Sequence, residues 1–309
     1  MSITLKLITR SSKLAVWQAE HIANLLEKAG AKTEFIKIVT KGDKILNTSI
    51  SKIGSKGVFT EELEQALING EADLAVHSAK DMPSSLPNEL ELIAFEKREK
   101  VNDVLVSHHK GLDFERGFKI GTSSTRRVGL VKHYFPNCEV VPMRGNLQTR
   151  FQKMENGGCD ALLLAFAGVH RMGLDQYIFK ELDLEKFVPQ AGQGSVAIET
   201  AKNLDKSKKN LIIKACNDLN TNLAISCERA FLAEVQGGCS IPVFAHAQIN
   251  KEKINLTVGI ISLDGKTLIQ EKFEGTINEG DILGKKAAQT IMEKGGKNLL
   301  NEIKKELKQ

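Results

Sequence analysis

Residues 72–83 read Ala72-Asp73-Leu74-Ala75-Val76-His77-Ser78-Ala79-Lys80-Asp81-Met82-Pro83. Ala72 to Val76 predicts a short buried strand, and polar residues gather at its carboxyl end. In open α/β sheets, ligands bind outside the carboxyl ends of the strands, so Lys80 and Asp81 stand where a site belongs. Pro83 restricts Met82 to extended geometry. A carboxylate at Asp81 suits general acid work or stabilisation of a developing cation. The plainer alternative is a capping Asp beside a surface Lys. His77 and Ser78 do not form a hydrolase pair by adjacency, because neighbours on a strand point to opposite faces.

The same grammar extends outward. Residues 3–8 alternate and are β-branched, which predicts a strand. Ser11 or Ser12 caps a following helix whose inner face carries Leu14, Trp17, Ile22 and Leu25 or Leu26. Residues 33–39 read as a strand, and 58–69 as a helix with Phe59, Leu63 and Leu67 inward, closed by Gly70. A second unit starts near residue 100. Its strands are expected at 104–106, 118–120, 138–141 and 161–164, with helices from 122–124 to Tyr134 and over 146–155. Helices alternating with apolar strands predict mixed or parallel sheets covered on both faces. In the last third, 203–210 is polar and Lys-rich and reads as a linker or surface turn. Residues 219–234 read as an amphipathic helix. Strands follow at 243–249, 254–262 and 267–275, with turns at Asn250-Lys251 and Asp264-Gly265. Helices then cover 281–293 and 297–307. This last part is an α+β module with an antiparallel sheet.

Composition narrows the function. The chain has 309 residues, 26% charged and 41% hydrophobic. That allows two or three domains and a buried core. The net charge of +5 is too diffuse for a nucleic-acid binder. The longest apolar run, Ala161 to Val169, falls far short of the roughly 20 residues that span a bilayer. Arg10 and Lys13 interrupt any signal-peptide core, so a cytoplasmic protein away from membranes is expected. The five cysteines form no C-x-x-C pair, which argues against a disulfide framework or structural zinc. Each reads as a small buried hydrophobe except Cys239, whose setting Gly237-Gly238-Cys239-Ser240-Ile241-Pro242 is turn-like.

Only nine of the 43 basic residues are arginine, and five of the nine lie between Arg126 and Arg171. Gly121-Thr122-Ser123-Ser124-Thr125-Arg126-Arg127 offers hydroxyls and helix-start amides as an anion cradle. Two arginines in a first helical turn oppose the macrodipole, a cost that a bound anion would offset. In Met143-Arg144-Gly145-Asn146-Leu147-Gln148-Thr149-Arg150, Asn146 caps a helix and both arginines can approach one crevice. Arg10, beside Ser11 and Ser12, and Arg171 add to it. Arginine grips carboxylates bidentately, so a small ligand with several carboxylates or phosphates fits. The glycine stretches 54–57 and 189–195 are neither P-loops nor dinucleotide fingerprints. The second reads as a loop or as a hinge strand returning to the first unit.

The segments TRSSKLAVWQ, GSKGVFTEELEQALINGEADLAVHSAKDMP, GTSSTRR, RGNLQTR, PQAGQGSVAIE and ERAFLAEVQGGCSIPV occur in this order over residues 9–243. In them the chain resembles the hydroxymethylbilane synthase (porphobilinogen deaminase) family. The resemblance implies two lobes like those of type II periplasmic binding proteins, plus a small α+β domain. The first lobe would take 1–98 with 193–216, the second 99–192, and the third domain 217–309. It implies a transferase that joins four porphobilinogen molecules head to tail, releasing ammonia, into hydroxymethylbilane for tetrapyrrole and heme biosynthesis. It implies a dipyrromethane cofactor held by a thioether to Cys239, with Asp81 as catalytic carboxylate. Arg10, Ser12, Lys56, Lys80, Ser123, Arg126, Arg127, Arg144, Arg150, Arg171 and Gln193 would bind substrate and cofactor. Neutral replacements of Arg126 or Arg144 are expected to stall elongation and leave the fold intact. No metal and no obligatory protein partner is implied, and a monomer is expected. Lys13, Ala79, Thr125, Ser195 and Val243 depart from the commonest family residues without removing a charged site residue. The rivals are a non-enzymatic two-lobed organic-anion receptor and a phosphate-substrate transferase. The extra Cys-bearing domain and Asp81 amid bases speak against the first. The missing phosphate loop and metal carboxylates speak against the second.

Overall fold

The computed structural model describes residues 3–41, 60–109, 111–236 and 241–307. Lys56, Cys239 and the glycines around them lie outside the described residues. Two five-stranded mixed sheets and one three-stranded antiparallel sheet carry the chain. The strands of the first two are β1 (Thr4–Arg10), β2 (Lys32–Ile38), β3 (Leu74–Ser78), β4 (Leu90–Phe95), β5 (Asp103–Val106), β6 (Lys119–Gly121), β7 (Glu139–Val141), β8 (Ala161–Ala165), β9 (Ile178–Glu181) and β10 (Val196–Ala201).

The first sheet has the order β2-β1-β3-β10-β4 and the second β7-β6-β8-β5-β9. The two orders are the same pattern. In the first sheet β10 runs antiparallel to both neighbours, and in the second β5 does so. The chain crosses between sheets twice, through 96–102 into β5 and through 182–195 into β10. The glycine stretch at 192–194 therefore lies on a crossing that returns to the first lobe, as one of its two sequence readings expected.

Helix α1 (Lys13–Lys28) is capped by Ser12, whose side chain accepts from the Ala15 amide. Its buried face is Ala15, Gln18, Ala19, Ile22, Ala23 and Leu26, which keeps Ile22 and Leu26 of the expected stripe but replaces Leu14 and Trp17 by Ala15 and Gln18. Alanines let the helix sit close to Leu5, Leu7, Leu74 and Val76 of the sheet. Leu14 and Trp17 are left facing the cleft side, where Leu14 lines a cavity and Trp17 meets the Arg171 guanidinium. Helix α2 (Glu61–Ile68) buries Leu63 and Leu67 as its spacing predicts. Helices α3 (Thr125–Tyr134), α4 (Leu147–Glu155) and α5 (Phe166–Arg171) cover the second sheet.

The polar stretch 203–210 is not a linker. It opens helix α6 (Lys206–Cys216), capped by Asp205, which accepts from the Ser207 and Lys208 amides. Its lysines are the solvent side of a helix whose buried residues, Ile212 and Cys216, come later in the chain. Lys208 and Lys209 pair with Asp73 and Glu91 of the first lobe.

Helix α7 (Leu219–Glu234) begins the last unit. Strands β11 (Val243–Asn250), β12 (Lys253–Ile261) and β13 (Leu268–Thr276) form its meander, closed by α8 (Gly280–Ile291) and α9 (Lys297–Glu306). One buried carboxylate ties this unit to both crossings. Glu228 of α7 takes two guanidinium bonds from Arg98 of the first crossing, at 2.6 and 3.1 Å. It also accepts from the amide of Gly192 on the second crossing at 2.8 Å and from that of Ala247 in β11 at 2.7 Å. Burial alone would raise its pKa; the Arg98 charge, with His246 of β11 at 3.5 Å, holds it down at about 2.

Breaking a buried pair leaves its partner charge uncompensated, at a cost of about 3–5 kcal/mol. Glu228→Gln should therefore lose stability of that order at neutral pH in a denaturant titration. Because the folded pKa is depressed, the contribution is complete above the ordinary carboxylate pKa of 4.5 and fades as pH falls towards about 2. The gap between wild type and variant should narrow across that range.

Candidate active site

Strand β3 ends in a single tight turn, Ala79–Asp81, followed by Met82 in extended geometry before Pro83. The turn is held by backbone contacts on every side. The Ala79 amide donates to the Ser195 carbonyl at 3.0 Å. Gln190 Nε2 donates to the Lys80 carbonyl at 3.0 Å, and Arg229 Nη2 to the Pro83 carbonyl at 2.9 Å. Gly192, at φ +75°, lies so close that a Cβ would sit 2.8 Å from the Ala79 carbonyl carbon and 2.9 Å from the Lys80 nitrogen. A side chain at 192 would push the turn aside.

Asp81 opens onto a cavity of about 70 Å³ whose lining includes Arg10, Ser12, Gln18, His77 and Ser78. Arg10 and Ser12 come from the end of β1 and the start of α1, beside β3 in the sheet, which is why distant residues share one wall. The Ser78 hydroxyl is engaged by Gln18, whose Nε2 donates to it at 3.0 Å. His77 Nε2 lies 3.0 Å from Glu199, and both side chains are buried. Histidine and serine thus have separate partners, and no nucleophile–base pair is present.

The arginine pair at the start of α3 already has an anion. Asp103, wholly buried at the start of β5, lies 2.8 Å from Arg126 and 2.7 Å from Arg127. Arg126 also donates to the Val188 carbonyl and Arg127 to that of Leu163. Burial works to raise the Asp103 pKa, but the two guanidiniums overcome it and hold the carboxyl far below its usual range. Gln193 is buried as well, its Nε2 donating to the Val101 carbonyl at 2.6 Å and to Asp103 at 2.9 Å. Removing the Arg126 charge would leave part of Asp103 uncompensated, at a cost of about 3–5 kcal/mol. Arg126 therefore supports the fold as well as the cleft charge, contrary to the expectation that it can be neutralised without structural effect. Arg144 is half-buried on a loop.

Asp103 is the charged group that sequence reasoning missed. Its signal was there: an acid opening an otherwise apolar strand, Asp103-Val104-Leu105-Val106. Gln18, Gln190, Arg98, Glu228 and Arg229 were missed too, because their partners are 19 to 146 residues away.

One carboxylate between two guanidiniums leaves positive charge over. The charges that Lys80 feels are those of Arg127, Asp81, Asp103 and Arg126, and burial pushes its pKa down to about 8. Arg150 is pushed down to about 10 by burial, with Arg127 and Arg144 adding to the effect and Asp81 opposing it. Its Nε donates to the Gly145 carbonyl at 2.8 Å, bracing the turn that follows Arg144. Ser123 Oγ accepts from the Met143 amide at 2.9 Å and steadies the same loop. Arg171 bridges the lobes. It donates to the Gly194 carbonyl at 2.8 Å, and its guanidinium carbon lies 5.5 Å from the centre of the Trp17 ring. The structure thus gathers Arg10, Ser12, Lys80, Asp81, Arg126, Arg127, Arg144 and Arg150 around one cleft. It places Gln193 on the second crossing and Arg171, at the end of α5, against it. Lys56 and Cys239 fall outside the described residues.

Cations crowded enough to depress one another's pKa values fit a guest with several carboxylates, such as dipyrromethane. Cys159, Cys216 and Cys227 are buried free thiols pushed up to about 11, 12 and 12 by burial, consistent with small hydrophobes. Among the described residues there is no metal-ligating cluster and no helix long and apolar enough to cross a membrane.

Fold and cleft together define a two-lobed α/β protein, with an appended α+β domain, that sets the Asp81 carboxylate among cationic side chains. The family description "Porphobilinogen deaminase, dipyromethane cofactor binding domain" matches residues 5–210, and "Porphobilinogen deaminase, C-terminal domain" matches 222–293. The porphobilinogen deaminase of Cytophaga hutchinsonii is 50% identical over 99% of both chains. That of Desulfosudis oleivorans is 46% identical over 96% of this chain and 97% of its own. The VFT2 domain of Bordetella pertussis BvgS aligns with 74% of this chain and 92% of its own at 15% identity and a TM-score of 0.43. The chain belongs to the porphobilinogen deaminase (hydroxymethylbilane synthase) family, and it catalyses the polymerisation of porphobilinogen to hydroxymethylbilane. The receptor and phosphate-transferase readings fall away.

A carboxylate beside Lys80 favours its charged form. Substrate binding should therefore weaken as pH rises past about 8, where Lys80 loses its proton in the empty cleft. KM measured from pH 7 upward should climb beyond that point. Lys80→Arg, which keeps its charge, should move the climb to higher pH.

Proposed function

We propose that Asp81 is the catalytic carboxylate and that Cys239 carries dipyrromethane through a thioether. The observation that carries this reading is the placement of Asp81 on a braced turn, opening onto a cavity shared with Arg10 and Ser12 and within the field of Lys80 and Arg150. When bound, dipyrromethane supplies the free pyrrole carbon on which the chain grows. Arg10, Ser12, Lys56, Lys80, Arg126, Arg127, Arg144 and Arg150 bind the acetate and propionate groups. Ser123, Arg171 and Gln193 act at the edge of that set by holding its loops and crossings.

Asp81 has two tasks on this reading. Its proton assists departure of the substrate amine as ammonia, and its carboxylate then steadies the positive charge left on the substrate ring. After coupling, the carboxylate takes the proton that leaves the ring carbon, so each cycle returns Asp81 to its starting form. The surrounding bases keep the site from becoming self-repelling as carboxylates accumulate with every added ring. The Asp103 carboxylate neutralises part of the Arg126 and Arg127 charge, which lets the bases crowd together when no guest is present.

The same reading divides the chain into lobes of 1–98 with 193–216 and of 99–192, and a third domain of 217–309. Sheet membership and the two crossings support that division. It also places the enzyme in the cytoplasm, a reducing compartment that suits four buried free thiols.

Asp81→Asn should keep its circular dichroism and lower kcat for bilane formation by roughly 10²–10⁴-fold. Near-normal bilane formation by that variant would remove Asp81 from its role. Intact mass of the purified enzyme should exceed the chain mass by two deaminated substrate units, and Cys239→Ser should abolish the increment. Active wild-type protein of bare chain mass would defeat the cofactor assignment.

A further inference from the structure

Helix α7 does two things at once. Its C-terminal end leads, through Gln236 at φ +48°, to the sequence Gly237-Gly238-Cys239. Its middle grips the turn that carries Lys80 and Asp81. Ile225 packs with Ala79 and Met82 of that turn in one apolar cluster that also holds Phe95 and Ala197. Arg229 follows Ile225 by four residues, which puts both on one face of the helix. Its Nη2 reaches the Pro83 carbonyl at 2.9 Å. Burial lowers the Arg229 pKa while the nearby charge of Glu199 opposes that shift.

The helix itself cannot slide relative to the first lobe without breaking several bonds. The Asp218 amide donates to the Phe95 carbonyl at 2.9 Å. Asn217 and Thr221 side chains accept from the amides of Phe95 and Arg98 at 3.0 Å each. Glu228, adjacent to Arg229, holds Arg98. Bonds to the first lobe thus run along the helix from residue 217 to residue 229, where it grips the turn. Arg229 is only six residues from Val235, about 9 Å along a helix.

We propose that Arg229 is a positioning residue of the coupling reaction: by holding the Pro83 carbonyl, it fixes the Asp81 turn relative to the helix that precedes Cys239 in the chain. This rests on the assignment of Asp81 and Cys239 given above. Arg229 touches no reacting atom and acts through the backbone of the turn. Its effect falls on the placement of the Asp81 carboxylate against the reacting carbon, and therefore on kcat. Lys80 rides on the same turn, so KM rises too, but the other carboxylate-binding residues lie off the turn and the larger effect falls on kcat. Gln190, which holds the Lys80 carbonyl from the second crossing, braces the same turn without involving α7.

The test uses holoenzyme of wild type, Arg229→Met, Arg229→Lys and Gln190→Leu, with intact mass recorded first. Hydrogen exchange of the backbone over 79–83 should quicken in Arg229→Met. Its kcat should fall about tenfold to a hundredfold, the scale of a misplaced reacting group, with a smaller rise in KM because Lys80 shares the turn. Arg229→Lys, which retains a donor, should recover part of the loss. Gln190→Leu should show the same pattern more weakly, and it decides the matter if Arg229→Met does not fold. Loaded Arg229→Met with normal kcat, or with unchanged exchange over 79–83, overturns the proposal alone. If Arg229→Met cannot be made, normal kcat in both Arg229→Lys and Gln190→Leu overturns it. Wild-type enzyme without the added mass overturns the cofactor reading and this proposal with it.

Discussion

Glu228 is the point at which three parts of the chain meet. A single carboxylate with no solvent contact accepts from the guanidinium on one crossing, from an amide on the other and from an amide of the third sheet. A charge so placed is tolerable only while its partners stay in register. The crossings cannot shift independently, and the third unit cannot leave without exposing Arg98. Asp103 repeats the device a few residues on, joining the second crossing through Gln193 to the first turn of α3. Two buried acids, each near a crossing, thus hold the lobes and the appended domain in one arrangement.

Asp103 also shapes the electrostatics of the cleft. Cations crowded in a poorly solvated space repel one another. Asp103 relieves that repulsion from behind, facing Arg126 and Arg127 from the protein side. Burial depresses Lys80 and Arg150, and the Arg127 charge adds to it in both.

Much of this was readable from the sequence. The β3 strand with Asp81 after it, the arginine crowding between 126 and 171 and the antiparallel meander of the last unit each follow from short-range patterns. The buried face of α1 did not, because Leu14 and Trp17 looked like core residues while the structure uses alanines for close approach to the sheet. Helix α6 was hidden by lysines at its start, whose partners Asp73 and Glu91 lie far back in the chain. The acids at the crossings were hidden for the same reason. A buried Asp or Glu is recognisable only beside its partners, and those come from other units. Local chemistry was visible at the strand ends; the long-range pairing that places it was not.

The matching strand orders of the two lobes have a consequence for how the chain is made. Strands β3 and β4 are not bonded to each other, because β10 lies between them and pairs with both. As the chain leaves the ribosome, the entire second sheet is delivered before β10. The first lobe, begun earliest, is therefore completed last. Until residue 201 emerges, β3 and β4 each present an unpaired edge, the kind of surface on which misplaced strands add. The second lobe is contiguous from β5 to β9 and needs no such wait. The nascent protein passes through a stage in which its younger lobe has a complete sheet and its older one is still open.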